Sequence, residues 1–558
     1  MRVDKGGKVC YNNLIAAAHT VRKRKWRMKK LSERRKKKIL RAVANDRSYK
    51  AWLYNRFIVL LVLVIAQAAV YAGVWISFVY GTAAGSAIQF ALGVLALVCV
   101  LYIINKNERP SMRLSWVLLL LVAPVLGVPL YFLYGEAKPT KRMRKKLSKA
   151  KAEINEAVAN FYGEEMQSVL QNNDSGVAYF LQKHVNCPVF DNGEVTYYAD
   201  GESAFVDMLT ALKNAEKFIL MEYFIIKHGR MWSEIFRILL EKAEQGVQIR
   251  IIYDDFGCIT SLPPHYDRYL ESLHRNIRCL RFNKVVPLLA LRMNNRDHRK
   301  MLVVDGKTAF TGGINIADEY INEKSRFGFW KDTALRITGD SVRSFTQAFF
   351  GLWNAFRKDK EDIKLYLLPL QKAKSGGQVR VQPYDDSPLD SISAGETVYM
   401  DAINRAEKSL YFFTPYLVLD DYLRAALCQA ALRGVDVRIV TPAIPDKKIV
   451  FRMTRANYAV LMRAGVKIYE YTPGFIHAKS MLCDGEKGVV GTINLDYRSL
   501  YFHFENAVLF SGCSAVEDLK RDYEETFALS KQCTPESVKR TVFGRLADSV
   551  IRVFETLL

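Results

Sequence analysis

The sequence predicts an α/β protein in which membrane helices at the N-terminus are followed by two tandem lobes. Three observations carry this. Three long apolar stretches crowd into residues 57–134, strand-like and helix-like patterns alternate afterwards, and two halves of that later region share one plan.

The chain has 558 residues, too many for one ordinary domain, and 50% of them are apolar, ample for a buried core. The net charge of +24 is unevenly spread. Residues 1–56 hold about 19 Lys and Arg against about 3 acids, which points to an anionic partner, lipid headgroups or nucleic acid. The nine cysteines are scattered singly, without a C-x-x-C pair or a Cys/His cluster. That argues against a disulfide framework and structural zinc, and for a soluble part in a reducing cytosol.

The apolar stretches run over about 57–80, 86–104 and 114–134, and none contains Asp, Glu, Lys or Arg. Each is about 19–24 residues, enough for a helix to cross roughly 30 Å of hydrocarbon. The first starts too late and is too long for a cleaved signal peptide. Flanking cations set the orientation. The basic head stays cytoplasmic, and so does the loop with Lys106, Arg109 and Arg113. Lys138 to Lys146 place the far end of the third stretch inside as well. Both its flanks are then on one side, and it contains Pro124, Gly127 and Pro129, so it is expected to dip in and return or to lie in the interface.

The expected organisation is a basic cytoplasmic segment (1–56), a membrane region with two spanning helices and a third, possibly re-entrant segment (57–134), and a charged helical linker (135–190). A first lobe (191–368), a Pro/Gly/Ser/Asp-rich linker (369–396), a second lobe (397–535) and a C-terminal amphipathic helix (536–558) follow. That last helix carries Phe543, Leu546, Val550, Val553, Phe554 and Leu557 on one face, opposite Arg540 and Arg545.

The repeat shows in Ala215-Glu216-Lys217 and Gly246-Val247-Gln248-Ile249-Arg250-Ile251 against Ala406-Glu407-Lys408 and Gly434-Val435-Asp436-Val437-Arg438-Ile439. It duplicates a chemical motif, H-x-K-x4-D-x6-G-x2-N. The first copy is His298, Lys300, Asp305, Gly312 and Asn315; the second is His477, Lys479, Asp484, Gly491 and Asn494. His and Lys two apart on a strand face the same side. Two such half-sites face to face supply two imidazoles, two ammoniums and two amides, a pocket for a phosphodiester. A neutral imidazole is a nucleophile near pH 7 and an imidazolium an acid. The lysines stabilise charge on the equatorial oxygens, and Asn315 and Asn494 are candidate phosphate ligands. No carboxylate cluster suggests a metal, so a metal-free mechanism without cofactors is expected. Each histidine needs an acceptor for its second nitrogen. Asp332, 34 residues after His298, and Glu505, 28 after His477, are the candidates, each paired with the histidine of its own half.

With these residues the chain resembles the phospholipase D superfamily, whose signature is a duplicated H-x-K-x4-D. More closely it is similar to bacterial cardiolipin synthases, from about Asn107 to the end. The matching text includes Arg109-Pro110-Ser111, Asn295-Arg296-Asp297-His298-Arg299-Lys300, Gly312-Gly313-Ile314-Asn315, Trp330-Lys331-Asp332-Thr333, Phe475-Ile476-His477-Ala478-Lys479 and Gly491-Thr492-Ile493-Asn494. The basic head and first apolar stretch are additional to the family's shorter members.

The resemblance implies two phospholipase D-type α/β lobes with pseudo-twofold symmetry, one active site between them, and a ping-pong reaction at a cell membrane with the catalytic part cytoplasmic. His298 would attack phosphorus in phosphatidylglycerol and His477 would protonate the departing glycerol. A second phosphatidylglycerol would then be deprotonated by His477 and attack the phosphohistidine. Asp305 and Asp484 would be architectural. Anionic membrane lipids are the expected partners, with no obligatory nucleic acid; the oligomeric state is left open. The rival readings are a phospholipase D that hydrolyses anionic phospholipids, a membrane-tethered phosphodiesterase or nuclease, and a non-catalytic lipid-binding scaffold.

Overall fold

The computed structural model describes residues 47–80, 83–106, 109–135, 141–163, 176–284, 295–371, 379–389, 393–538 and 541–553. Most of the basic head, and Arg540, Phe554 and Leu557 of the expected C-terminal face, lie outside them.

The alternating pattern folds into two mixed sheets. In the first lobe the strands are β1 (Val195–Tyr198), β2 (Phe218–Tyr223), β3 (Gln248–Asp254), β4 (Ile277–Phe282), β5 (Lys300–Val304), β6 (Thr308–Gly312), β7 (Phe329–Lys331) and β8 (Ala334–Thr338). Seven of them form a sheet in the order β1-β8-β6-β5-β2-β3-β4. In the second lobe they are β9 (Arg380–Asp386), β10 (Ser409–Phe413), β11 (Leu417–Val418), β12 (Asp436–Pro442), β13 (Lys467–Tyr471), β14 (Gly474–Ile476), β15 (Ser480–Cys483), β16 (Lys487–Gly491), β17 (Leu495–Asp496), β18 (Glu505–Ser511) and β19 (Ser530–Gln532). Eight form a sheet in the order β19-β13-β12-β10-β15-β16-β18-β9. The repeat is now explicit. A parallel trio (β2, β3, β4; β10, β12, β13) meets an antiparallel half led by the motif strand, β5 or β15.

The expected linker 369–396 contains β9, which occupies in the second sheet the edge place that β1 has in the first. Its sequence reads as a linker because it is polar and contains Pro383. An edge strand tolerates a residue without an N–H, since one side of the strand has no partner to serve. The charged stretch before the first lobe is likewise part of the body. Helix Lys141–Tyr162 buries Leu147, Ala150, Ile154 and Val158, spaced three or four apart, in the same core as Phe345, Phe349 and Trp353 of helix Val342–Phe356.

Each lobe has an outer core under its own helices, around Ile219, Ile251 and Trp232 in one and Leu410, Ile439 and Tyr458 in the other. A third cluster holds inner-face residues of both sheets, Leu220 and Val303 with Leu482 and Val508. The lobes therefore share buried apolar surface.

In the membrane region, Ser86–Ile104 is long and apolar enough to cross a bilayer, the one such helix among the described residues. The first apolar stretch lies in helix Arg47–Tyr80, whose apolar described part, Leu61–Ser77, is shorter. Of the two spanning helices expected, one is shown among the described residues. The third stretch is two helices, Pro110–Val122 and Pro124–Tyr134, broken at Ala123 (φ −140°, ψ 69°). A proline cannot continue the preceding ladder but starts a new helix readily. The second helix leaves first-turn N–H groups without internal acceptors; Gln67 of the long helix accepts one, from Leu126, at 3.1 Å.

The start of this broken segment meets the catalytic body. Arg109, just before it, pairs with Glu396 and lies 3.3 Å from Asp420, both in the second lobe. Its guanidinium also lies over the rings of Tyr422 and Tyr501 at 5.1 and 5.0 Å. Tyr497 donates to Ser111 at 2.9 Å. The C-terminal helix Val542–Val553 joins the same corner. Asp548 binds Arg452, and Ile551 packs against the cluster of Met112, Val418, Met453, Tyr497 and Phe502. Phe543 and Leu546 of its expected apolar face remain exposed.

Candidate active site

Each motif histidine sits just ahead of its strand, β5 or β15, and each is stitched to the opposite lobe by backbone. His298 N–H donates to Phe504 O at 2.9 Å, and Phe504 N–H to Arg296 O at 2.8 Å. His477 N–H donates to Lys331 O at 2.7 Å, where β14 runs parallel to β7. Phe504 precedes Glu505 and Lys331 precedes Asp332. The inter-lobe pairing therefore carries each acid to the histidine of the other half.

The carboxylates follow the backbone. Nδ1 of His298 lies 2.9 Å from both oxygens of Glu505, and Nδ1 of His477 lies 2.7 Å from Asp332 Oδ2. Both candidate acids are at the site, but the expected pairing within each half is reversed. Sequence separation was the wrong guide, because strand pairing across the lobes is non-local. Both acids are fully buried, and both histidines are 8% exposed.

Burial, with the positive charge of Lys300 and Lys479, holds His298 well below the usual imidazole range. His477 is pushed down to about 4 by burial and then Lys479, despite Asp332. Both rings are therefore neutral at pH 7, and Nδ1–H donates to the carboxylate in each pair. Burial pushes the Asp332 carboxyl up, but His477 and Lys479 outweigh it and leave it below its usual value.

Lys300 and Lys479 are 1% exposed. Each ammonium donates to the carbonyl of its own motif histidine, at 2.6 Å for Lys300. Burial lowers Lys300 to about 8 and Lys479 to about 7, partly offset in each case by Glu505 and Asp332. Each lysine is thus sensed by the acids of both halves, as expected for one site built at the lobe boundary.

Asp305 and Asp484 stand apart from this group. They follow the far ends of β5 and β15, about 20 Å of extended chain from the histidines. Both have positive φ, 54° and 53°, ahead of a glycine. Asp305 accepts from the N–H groups of Glu216, Lys217 and Phe218 at 2.7–2.8 Å. Asp484 accepts from Glu407, Lys408 and Ser409 at 2.7–3.0 Å. Each fastens a motif turn to the start of the neighbouring strand.

The asparagines frame the site. Asn315 accepts from Ile225 N–H at 3.0 Å and donates to Tyr320 OH at 2.7 Å; the Tyr320 ring stands edge-on to His477, centroids 5.4 Å apart. Asn494 donates to Ser499 at 3.0 Å, and its Oδ1 is buried without a hydrogen-bond partner.

Two aromatic residues escaped the motif reading. Trp330 lies against His477 (5.3 Å, 41°) and His503 against His298 (5.5 Å, 42°). Each is two residues before the acid that serves the same histidine, so alignment of the halves on Asp332 and Glu505 would have found them.

Comparison with known proteins gives the family. A family model described as cardiolipin synthase, PLD-like domain, matches residues 208–349 and 399–527, and a phospholipase D-nuclease N-terminal model matches 94–136. A cardiolipin synthase of Geobacillus kaustophilus is 33% identical over 90% of this chain and 99% of its own length. The chain belongs to the cardiolipin synthase family. Another relative, an uncharacterized protein of Streptococcus mutans, is 40% identical over 82% of this chain and 99% of its own. Beyond the family, the phosphatidylserine synthase of Haemophilus influenzae shares the fold, with a TM-score of 0.52 at 15% identity over 68% of this chain and all of that one. In this cardiolipin synthase family member both motif copies are complete, from histidine to asparagine.

Proposed function

We propose that this chain makes cardiolipin and glycerol from two molecules of phosphatidylglycerol through a phosphohistidine. The observation that carries the reading is the crossed pair of buried imidazoles, each tied through Nδ1 to a carboxylate of the other lobe, which leaves Nε2 as the reactive nitrogen.

His298 Nε2 attacks phosphorus as the bond to the headgroup glycerol oxygen breaks. His477, neutral in the free enzyme, takes up a proton from solvent as the anionic diester binds and gives it to that oxygen, and Asp332 supports the imidazolium. Glu505 supports the positive charge that develops on His298. The ammoniums of Lys300 and Lys479 stabilise the non-bridging oxygens. His477 then takes the proton of a hydroxyl on a second phosphatidylglycerol, which attacks the phosphohistidine and frees His298. One phosphodiester is exchanged for another, so no nucleotide is consumed. Asn315 and Asn494 hold the walls of the phosphate pocket.

The enzyme works at the cell membrane from the cytoplasmic side, with the segment Pro110–Tyr134 dipping in and returning. This is supported by its break at Ala123, by the pairing of Arg109 before it with the second lobe, and by the packing of helix Lys141–Tyr162 after it in the catalytic core. Anionic lipid draws in the basic head.

The test is product analysis with reconstituted protein and labelled phosphatidylglycerol. Cardiolipin and glycerol are expected, at a rate unchanged by EDTA. Phosphatidic acid as the sole product would make the chain a hydrolase, and nucleic-acid cleavage without lipid turnover would make it a nuclease.

A further inference from the structure

The two half-sites differ at one chemically decisive position. Trp330 and His503 occupy matching places, each packed on a motif histidine at nearly the same distance and tilt. An indole N–H has no lone pair to give; an imidazole has one. Neither ring nitrogen of His503 has a hydrogen-bond partner, although the side chain is only 11% exposed.

His503 Nδ1 lies 3.6 Å from Glu505 Oε1, and His298 Nδ1 lies 2.9 Å from the same oxygen. Donor atoms of the three residues all fall within 4.8 Å of one another, the one such cluster among the described residues. A tetrahedral zinc ion with ligands at 2.0–2.1 Å sets them about 3.3 Å apart along each edge. The two measured edges bracket that value, and two imidazoles with one carboxylate are a zinc donor set with a fourth position open.

We propose that His298, His503 and Glu505 form an inhibitory site for a transition-metal dication of the zinc class. The ion takes the place of the proton shared by His298 and Glu505, and that proton moves from Nδ1 to Nε2 of the same ring. The imidazole stays neutral, nothing is oxidised or reduced, and the nitrogen that would attack phosphorus now carries a hydrogen. The second half-site, with Trp330 in place of His503, lacks the third donor. Metal binding stands on the geometry alone; inhibition rests also on the proposed role of His298.

The experiment uses chelator-treated, reconstituted full-length protein. One equivalent of Co2+ is expected to give the visible absorption of a four-coordinate ion, and Zn2+ to inhibit phosphatidylglycerol turnover reversibly by EDTA, while Mg2+ does not. His503→Asn, with His503→Gln as a second variant, each scored against its own metal-free rate, should lose the band and raise the half-inhibiting Zn2+ concentration at least about tenfold. No band in the wild type, or equal band and inhibition in wild type and variants, overturns the site. A band that depends on His503 without inhibition overturns the inhibitory claim and locates the failure in the role given to His298.

Discussion

Both oxygens of Glu505 lie 2.9 Å from Nδ1 of His298, a residue 207 positions earlier and in the other lobe. The reciprocal bond from His477 to Asp332 spans 145 positions. Neither lobe orients its own histidine.

This crossing assigns the two acids to different steps. Asp332→Asn and Glu505→Gln should each lower kcat by about 10^2- to 10^4-fold, because an amide can hold the ring in the wrong tautomer. A donor with a p-nitrophenol leaving group needs no general acid. With it, Asp332→Asn should recover rapid p-nitrophenol release, while Glu505→Gln, whose defect is in the nucleophile, should not. Rapid-quench measurement of that release decides; the reverse pattern would mean that His477 is the nucleophile.

The lysines set the alkaline limb. Lys479 at about 7 and Lys300 at about 8 lose their protons as pH rises, and a neutral amine gives no charge to the phosphoryl oxygens. kcat/KM should therefore fall as pH climbs through about 7 to 8, and the limb in kcat should lie higher, because bound diester favours the ammonium. His477, at about 4 in the free enzyme, must gain a proton as the diester binds, so it adds to the alkaline fall of kcat/KM and sets no acid limb. A kcat/KM profile level to pH 9.5 would contradict the lysine values.

Asp305→Asn and Asp484→Asn should lower stability and spare chemistry. Each carboxylate accepts from three backbone amides. Losing the charge should cost about 2 kcal/mol, given roughly 1.5–3 kcal/mol for a hydrogen bond to a charged group. Burial pushes the Asp484 carboxyl up, yet the amides outweigh it and leave it below the usual value. Its contribution is therefore present above the unfolded-state value near 4 and lost as pH falls through the folded one. Thermal unfolding in lipid nanodiscs should show a lower Tm at pH 7 for both variants, with kcat within about twofold of wild type.

Gly313→Ala targets the second histidine indirectly. A Cβ at 313 would overlap the Asp332 carboxylate and push it from His477. A fall in kcat of at least about tenfold is expected, with KM little changed, consistent with the cost of small displacements in a catalytic geometry. Normal turnover would show that Asp332 has room to shift without losing its bond.

Arg109→Ala tests the link between membrane segment and catalytic body. It would leave Glu396 and Asp420 without their shared cation in a largely buried corner. The expected loss is about 1–3 kcal/mol, below the 3–5 kcal/mol of a fully buried pair because the Arg109 side chain is 29% exposed. Faster proteolysis between the membrane segment and the second lobe would report it.

The repeat, the motif and the identity of both acids are legible because they reside in local spacing: His and Lys two apart, Asp-Gly turns, apolar runs of strand length. The partner choice of the acids is not, since it depends on β7 meeting β14 across the lobes, a contact with no local signature. β9 was hidden by a polar composition and Pro383, which suit an edge strand and a linker equally. The break at Ala123 was foreshadowed by Pro124 and Pro129, whereas the anchoring of its flank by Arg109 needed the fold to bring residues 396 and 420 together.

The exchange of acids between lobes also has a bearing on synthesis of the chain. Ribosomes deliver the first lobe well before residue 505 exists. During that interval His298 lacks the Glu505 carboxylate that holds its ring. The first half-site is completed only when the start of β18 pairs across to the first lobe.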